Sequence, residues 1–253
     1  MNLFSRPRWG KLHAGHLAGL VLACGGGAVL VLVLGAYRAT QHKPAFYEEA
    51  LKSAPVQEEV AGDQLEQNVL ELHNNVRKPG RWEAAFSDAQ INGWLASNLE
   101  KKYPHLLPRG VADPRVAINP NEALVACRYE NGSINTVISL ALEIHLTDEP
   151  NVVAIRVCRA RAGALPLPLK NFLDRVSAVA ARSGLPLRWA ETDGDPVALF
   201  KVPSEHEDYV TQGIHLEQVE LREGELYLAG HSGEAYDLQR AASIFRPFIL
   251  AMQ

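Results

Sequence analysis

Leu17 to Tyr37 form a run of 21 residues, LAGLVLACGGGAVLVLVLGAY, with no charge and no proline. As a helix rising ~1.5 Å per residue, the run spans roughly 31 Å, about the thickness of a bilayer's hydrocarbon core. Arg6, Arg8 and Lys11 precede it, with no acidic residue among them. Positive flanks stay on the cytoplasmic side, so the sequence predicts a single span with its N-terminus inside and the bulk of the chain outside the cytoplasm. A cleaved signal peptide is the competing reading. It would have an apolar core of ~7–15 residues and a small-x-small site; this run is longer and no such site follows. Val21-Leu22-Ala23-Cys24 resembles a lipoprotein box, but Leu22 is bulky for that motif and the chain stays apolar through Tyr37. Cys24 is therefore read as a cysteine buried in lipid. Gly15 and Gly19 match a small-xxx-small packing motif only at the edge of the span.

All 29 acidic residues lie after the span, with 22 of the 25 lysines and arginines, so the external part carries a net −7. An acidic surface with no basic patch excludes a nucleic-acid partner. Three cysteines, one within the span, make no disulfide framework.

From Gln41 to Val76, Val56, Val60, Leu65, Val69, Leu72 and Val76 recur at helical spacing. This predicts a membrane-proximal helical stalk that docks on the domain, interrupted at Pro55 and Gly62. Ser87 and Gln90 form a capping box that opens a second helix, with Ile91, Trp94, Leu95 and Leu99 on one face. Trp94 and Asn92 are candidate functional residues there, although an apolar face of this kind more often packs a core.

The period then changes to two. Val116 and Ile118 start a strand, Asn119 to Glu122 turn it, and Leu124 to Glu130 return. Asn131-Gly132 is a hairpin signal. Ile134 to Leu146 follow, aliphatic at six of seven alternate positions. Such a strand extends roughly 43 Å, more than twice the usual length. Turning the chain about Gly132 sets Cys127 opposite Val137. A turn between Asp148 and Glu149 sets Cys158 opposite Ser139. The two cysteines then lie on strands ~9.5 Å apart, beyond disulfide reach, so both are expected as free, buried thiols. Leu169, Phe172, Leu173, Val176, Val179 and Ala180 stripe a further helix. Two hairpins are expected around Asp193 to Pro196 and around Arg222 to Glu225, and a last amphipathic segment carries Leu238, Ala242, Phe245, Ile249 and Met252.

Chemistry-bearing motifs are sparse. No zinc-ligand spacing, phosphate loop or dinucleotide glycine pattern occurs. Gly230-His231-Ser232-Gly233-Glu234 lacks the final glycine and the strand-to-helix context of a nucleophile elbow. Asp193 and Asp195 are the residues a Gly-containing turn needs, without the further ligands of a calcium site. Glu143 and His145 share the second face of the long strand, with no nucleophile beside them. Arg159 and Arg161 read as solvated edge charges. The sequence thus predicts no catalytic residue, no metal and no cofactor. The remaining candidate is an apolar groove between the long strand and the following helix: Ile138, Leu140, Leu142, Ile144, Phe172, Leu173, Val176 and Ala180. The plainer reading of the same residues is an ordinary core.

Trp82 and Phe86-Ser-Asp-Ala-Gln90-Ile-Asn92-Gly-Trp94-Leu95 resemble the helix of the YpmS-like (DUF2140-type) membrane-anchored proteins of unknown function. The long strand followed by Gly163-Ala-Leu165-Pro-Leu-Pro168 and a helix is similar to their core. The resemblance covers roughly residues 82 to 230. It implies no catalytic residue and, through a likeness to tubular lipid-binding domains, a hydrophobic ligand.

The expected fold is α+β: a long antiparallel sheet on amphipathic helices, after one transmembrane helix and a stalk. The expected segments are a basic tail (1–16), the anchor (17–37), the stalk (38–80) and an extracytoplasmic domain (81–253). The leading functional expectation is a non-enzymatic, membrane-anchored binding or scaffold protein, with membrane lipids met through the anchor and a lipid or another apolar ligand as candidate occupant. The alternatives are a protein-interaction module of an envelope membrane complex and, third, a hydrolase.

Overall fold

The computed structural model describes residues 38–104, 106–132, 134–167, 187–202 and 213–233, with Gly35, Leu173, Asp174 and Ser177. Apart from Gly35, the expected anchor lies outside the described residues, as does the expected C-terminal stripe from Leu238 to Met252. Among the described residues no helix is long and apolar enough to cross a membrane.

The described part is α+β with a large antiparallel sheet, as expected. Its strands are β2 (Val111–Asn119), β3 (Glu122–Asn131), β4 (Ile134–Leu146), β5 (Val152–Ala162), β7 (Leu187–Thr192) and β8 (Asp195–Lys201). Their order is β2-β3-β4-β5-β8-β7, with the short β6 (Leu165–Pro166) beside β5. The alternating run is strand β4, all 13 residues of it. The turns fall where Asn, Asp and Gly tolerate a left-handed backbone: Asn121, Asn151 and Asp193 have φ of 67°, 60° and 55°.

Two expectations about the sheet need correction. The chain builds a second sheet, of order β1-β10-β9, from β1 (Gly80–Ser87), β9 (Ile214–Arg222) and β10 (Glu225–Ser232). Trp82 and Phe86 sit on β1 rather than in a lead-in to a helix, and they share the inner face with Leu226 and Leu228. That face cannot stay wet, and it packs between Leu72 and Val76 on one side and Ile118 and Ala123 on the other. Further, the second face of β4 is covered from Val137 to Ala141, both of which are buried. Tyr47 packs on Val137 and Ala126, with Phe46 beside it. Both aromatics come from α1 (Ala45–Ala50).

The hairpin registers also differ. Cys127 pairs with Ile138, one position from the expected Val137, because Asn131 pairs with Ile134 and leaves a two-residue turn. Around Cys158 the register shifts: Ala141 pairs with Arg159 and Leu142 with Val157, so Cys158 is the extra residue of a bulge. Both cysteines are nonetheless free, and they are half-buried rather than buried.

The expected stalk is two helices, α1 and the 22-residue α2 (Pro55–Val76). Pro55 does not interrupt α2; it occupies the first turn, where a missing N–H costs nothing. Gly62 does not interrupt it either. It is buried where α2 crosses α3 (Asp88–Ser97) at Gly93. A Cβ on Gly93 would lie 2.5 Å from the Glu58 carbonyl oxygen and 2.7 Å from the Ala61 Cβ. The two backbones touch. Around the crossing, Glu66 Oε1 accepts from Trp94 Nε1 at 2.9 Å and Asn98 Nδ2 at 3.1 Å, and pairs with Lys102 of α4 (Leu99–Lys102). Arg115 of β2, 5 % exposed, donates to Glu58 at 3.0 Å.

The helix α3 also closes a sheet edge. Asn92 Oδ1 accepts from Val116 N–H at 2.7 Å, its Nδ2 donates to Val116 O at 2.8 Å, and Asp88 Oδ2 accepts from Ile118 N–H at 3.4 Å. Four residues of helix rise ~6 Å and two of strand ~6.7 Å, so an i,i+4 pair on a helix matches an i,i+2 pair on a strand. Edge groups that would otherwise invite another chain are thereby paired. The two sheets are joined elsewhere by Asn151, 4 % exposed. Its Nδ2 donates to Ile214 O at 2.6 Å and its Oδ1 accepts from Leu216 N–H at 2.8 Å.

Gly93→Ala should destabilise the protein by ~1–3 kcal/mol through overpacking. In a free helix the same change stabilises by ~1 kcal/mol, so the sign of the shift in a urea titration decides whether the crossing is as described. Asn151→Ala leaves two backbone groups unpaired at ~1–3 kcal/mol each; a midpoint unchanged from wild type would show that the sheets are not joined there.

Candidate functional site

The expected groove is partly filled by the protein itself. Leu142 and Ile144 pack with Ile118, Ala123 and Leu221, under Ile91 and Leu226. Ile138 and Leu140, nearer the start of β4, are half-buried. Of the facing helix, Leu173 and Ser177 are helical, and the Ser177 hydroxyl donates to Leu173 O at 2.8 Å and accepts from Trp189 Nε1 at 2.6 Å. Phe172, Val176 and Ala180 lie outside the described residues.

The singled-out polar residues are mostly structural. Gln90 completes the capping box on Ser87, Asn92 closes the edge of β2, and Trp94 bonds Glu66. Ser232 is 2 % exposed and accepts from Trp82 Nε1 at 3.2 Å. His231, its strand neighbour, points to the other face, as consecutive strand residues must. There it stacks on His215 with ring centroids 4.9 Å apart, and its Nδ1 lies 3.3 Å from Glu217. Ser232 and His231 therefore make no nucleophile–base pair. Asp195 accepts two bonds from Arg156, at 2.9 and 2.6 Å, which explains it without a cation. Glu143 and His145 border an open cleft of about 350 Å³ with Asn121 and Glu220. Among the described residues no group of His, Cys, Asp and Glu converges as a metal site.

Two surfaces stand out among the described residues. The first is the outer side of α2. Val56, Val60 and Leu70 are 73 %, 54 % and 59 % exposed. At ~100° per residue they fall within a sector of about 80°, away from the face bearing Gly62 and Val76. Val69, 49 % exposed, lies on another side, and Leu51 at 39 % precedes the helix. Exposed Asp63 and Gln67 lie between Val60 and Leu70 in the same sector; isolated exposed aliphatics are ordinary, and three that share one side of a helix make it a candidate interaction face. The sequence stripe placed Val56 and Val60 with Leu72 and Val76. The actual contact is set by the glycine at position 62, which selects a different face.

The second is a cleft of about 170 Å³ between α1 and the middle of β4, lined by His42, Phe46, Leu124, Ser139, Arg159 and Arg161 among others. Tyr47, beside Phe46, is buried on Ala126 and Val137: its hydroxyl donates to Asp113 O at 3.0 Å, and burial, reinforced by the Asp113 carboxylate, pushes its pKa up to about 12. Arg159 is paired with Glu122 at 2.7 Å. Sequence reasoning missed this cleft, because it forms only when residues near 42–46 meet strands about a hundred positions away.

No family model matches the chain, and no curated protein or solved structure matches it at a significant level.

The thiols offer a direct check on the sheet. Burial pushes Cys127 up to about 11, and burial together with Glu143 raises Cys158. Both shifts favour the protonated thiol, which is the unreactive form. Iodoacetamide at pH 8 should modify Cys127 slowly in the native protein and rapidly once it is denatured, with or without reductant. A Cys127–Cys158 linked peptide would overturn the strand arrangement.

Proposed function

We propose that the chain is a single-pass membrane protein, N-terminus inside, whose α+β domain works outside the cytoplasm as a non-enzymatic scaffold that docks an envelope protein on the outer face of α2. The observation that carries this reading is the row Val56, Val60 and Leu70, left exposed on a helix whose opposite side is locked to α3 by glycine contact. A helix held so closely needs no aliphatics on its outer side for its own stability. Burying three such side chains supplies ~1.5–3 kcal/mol each to an association. The apolar run Leu17–Tyr37 and its basic flank support the placement. Among the described residues, Asn92, Trp94, Asp195 and Ser232 are engaged in the structural bonds described above. The lipid-groove reading has less support, since Leu142 and Ile144 are part of the core.

The reading is tested by a photocrosslinking amino acid replacing Val60 or Leu70 in the full chain in its native membrane. A discrete protein adduct is expected from both positions and none from Glu223, in the exposed turn between β9 and β10. Adducts with lipid alone, or equal labelling at all three positions, would sink the scaffold reading.

A further inference from the structure

The residues directly after the apolar run are fastened to one end of the large sheet. Ala39 O accepts from Ala164 N–H at 2.7 Å, Thr40 O accepts from the Thr136 hydroxyl at 2.6 Å, and Gln41 Nε2 donates to Asn135 O at 3.0 Å. The contact is tight at Gly163, whose φ is +62°: a Cβ there would lie 2.3 Å from Ala39 O and 2.6 Å from Thr40 O. Tyr37, the last residue of the apolar run, is two residues from Ala39, at most ~7 Å of chain. Whatever surface the run emerges from, this end of the sheet lies against it.

Side chains suited to a lipid surface lie at and near this end: Ile134 opens β4, and Leu165 and Arg161 follow at the level of Ile138 and Ser139. Ile134 and Leu165 are 57 % and 38 % exposed. Arg38, Lys43 and Arg161 are exposed, and no ion pair to a carboxylate joins any of them among the described residues. The acidic residue beside Ile134 is Glu130, and Arg128 and the Asn135 amide already occupy it. Arg161 and His42 line the cleft described above, whose floor includes Phe46 and Leu124.

Resting on the anchor reading, we infer that this end of the domain is a seat on the lipid surface: Ile134 and Leu165 enter the headgroup layer, and Arg161, at the mouth of the cleft, takes the phosphate of an anionic phospholipid. Apolar tips with unpaired cations around them are the combination by which peripheral surfaces hold an anionic bilayer.

The test uses the full chain in nanodiscs of phosphatidylcholine with or without phosphatidylglycerol, containing lipids that carry a nitroxide on the headgroup. A fluorescent amino acid replaces Ile134, Leu165 or, as control, Asp148, which lies beyond the far end of β4, ~40 Å from Ile134. Several-fold stronger quenching at 134 and 165 than at 148 is the expected result. Arg161→Glu should weaken quenching in the phosphatidylglycerol discs and leave it unchanged in pure phosphatidylcholine. A chain that stays with the discs but is quenched no more at 134 than at 148 would overturn the seat and leave the anchor standing. A chain that separates from the discs on gel filtration would overturn the anchor and the seat with it. An Arg161→Glu effect equal in both lipids would overturn the assignment to an anionic lipid, because phosphatidylcholine carries a phosphate too.

Discussion

The contact between Gly62 and Gly93 organises the rest of the fold. Helices ordinarily pack with axes 8–10 Å apart, held off by the side chains between them. Here the backbone of one helix meets the backbone of the other. That closeness brings Glu66 within reach of Trp94, Asn98 and Lys102 at once, and Glu58 within reach of Arg115 on β2. It also fixes the roll of α3, so that Asp88 and Asn92 face the edge of β2. The large sheet is therefore hung from α3, and α3 from α2. A Cβ at Gly93 would push on main chain, 2.5 Å from Glu58 O and 2.7 Å from Gly62 N, so the crossing has little room to adjust there.

The parts of this fold that were legible are those where the local pattern is strong and the competing patterns weak. The strand β4 is written in six aliphatics at alternate positions, and its turns in Asn, Asp and Gly residues that accept positive φ. The α3 start is written in Ser87 and Gln90. The strand β1 was not legible, because its inner face is only Trp82, Ala84 and Phe86, a pattern too short to separate from the helix that follows. The covered second face of β4 was hidden for another reason. Asn135, Ser139, Glu143 and His145 make that face polar in composition, while Val137 and Ala141 are buried by aromatics that arrive from about 90 residues earlier. A bulge such as the one at Cys158 leaves no trace in composition at all; it appears only when both neighbouring registers are known.

The candidate site divides in the same way. Polar residues that stood out in the sequence turned out to complete the fold: Asn92, Trp94, Ser232 and Asp195 each have a structural hydrogen bond. The surfaces left over involve residues that looked routine. Val56 and Val60 belonged to an apolar stripe expected to face inward, and a glycine decided which side of the helix did so. Arg161 looked like a solvated edge charge, and it stands beside the point where the chain leaves for the apolar run.

A flexible stalk would decouple the domain from its anchor and let it face any direction. Residues 38–80 do the opposite. Ala39 to Gln41 are bonded to the sheet, α1 is packed on β4 through Tyr47, and α2 is locked to α3. On either side of the exposed turn at residues 51–54, the path from the end of the apolar run to the outer face of α2 is thus held by buried contacts or hydrogen bonds. On the anchor reading, Val56, Val60 and Leu70 are then held at a fixed height and orientation above the bilayer. Such preorganisation lowers the entropy lost when a second membrane-held protein docks. Short hydrogen bonds around Gly163 and close glycines at positions 62 and 93 serve the same end, because any slack in them would be multiplied along the 22-residue helix α2.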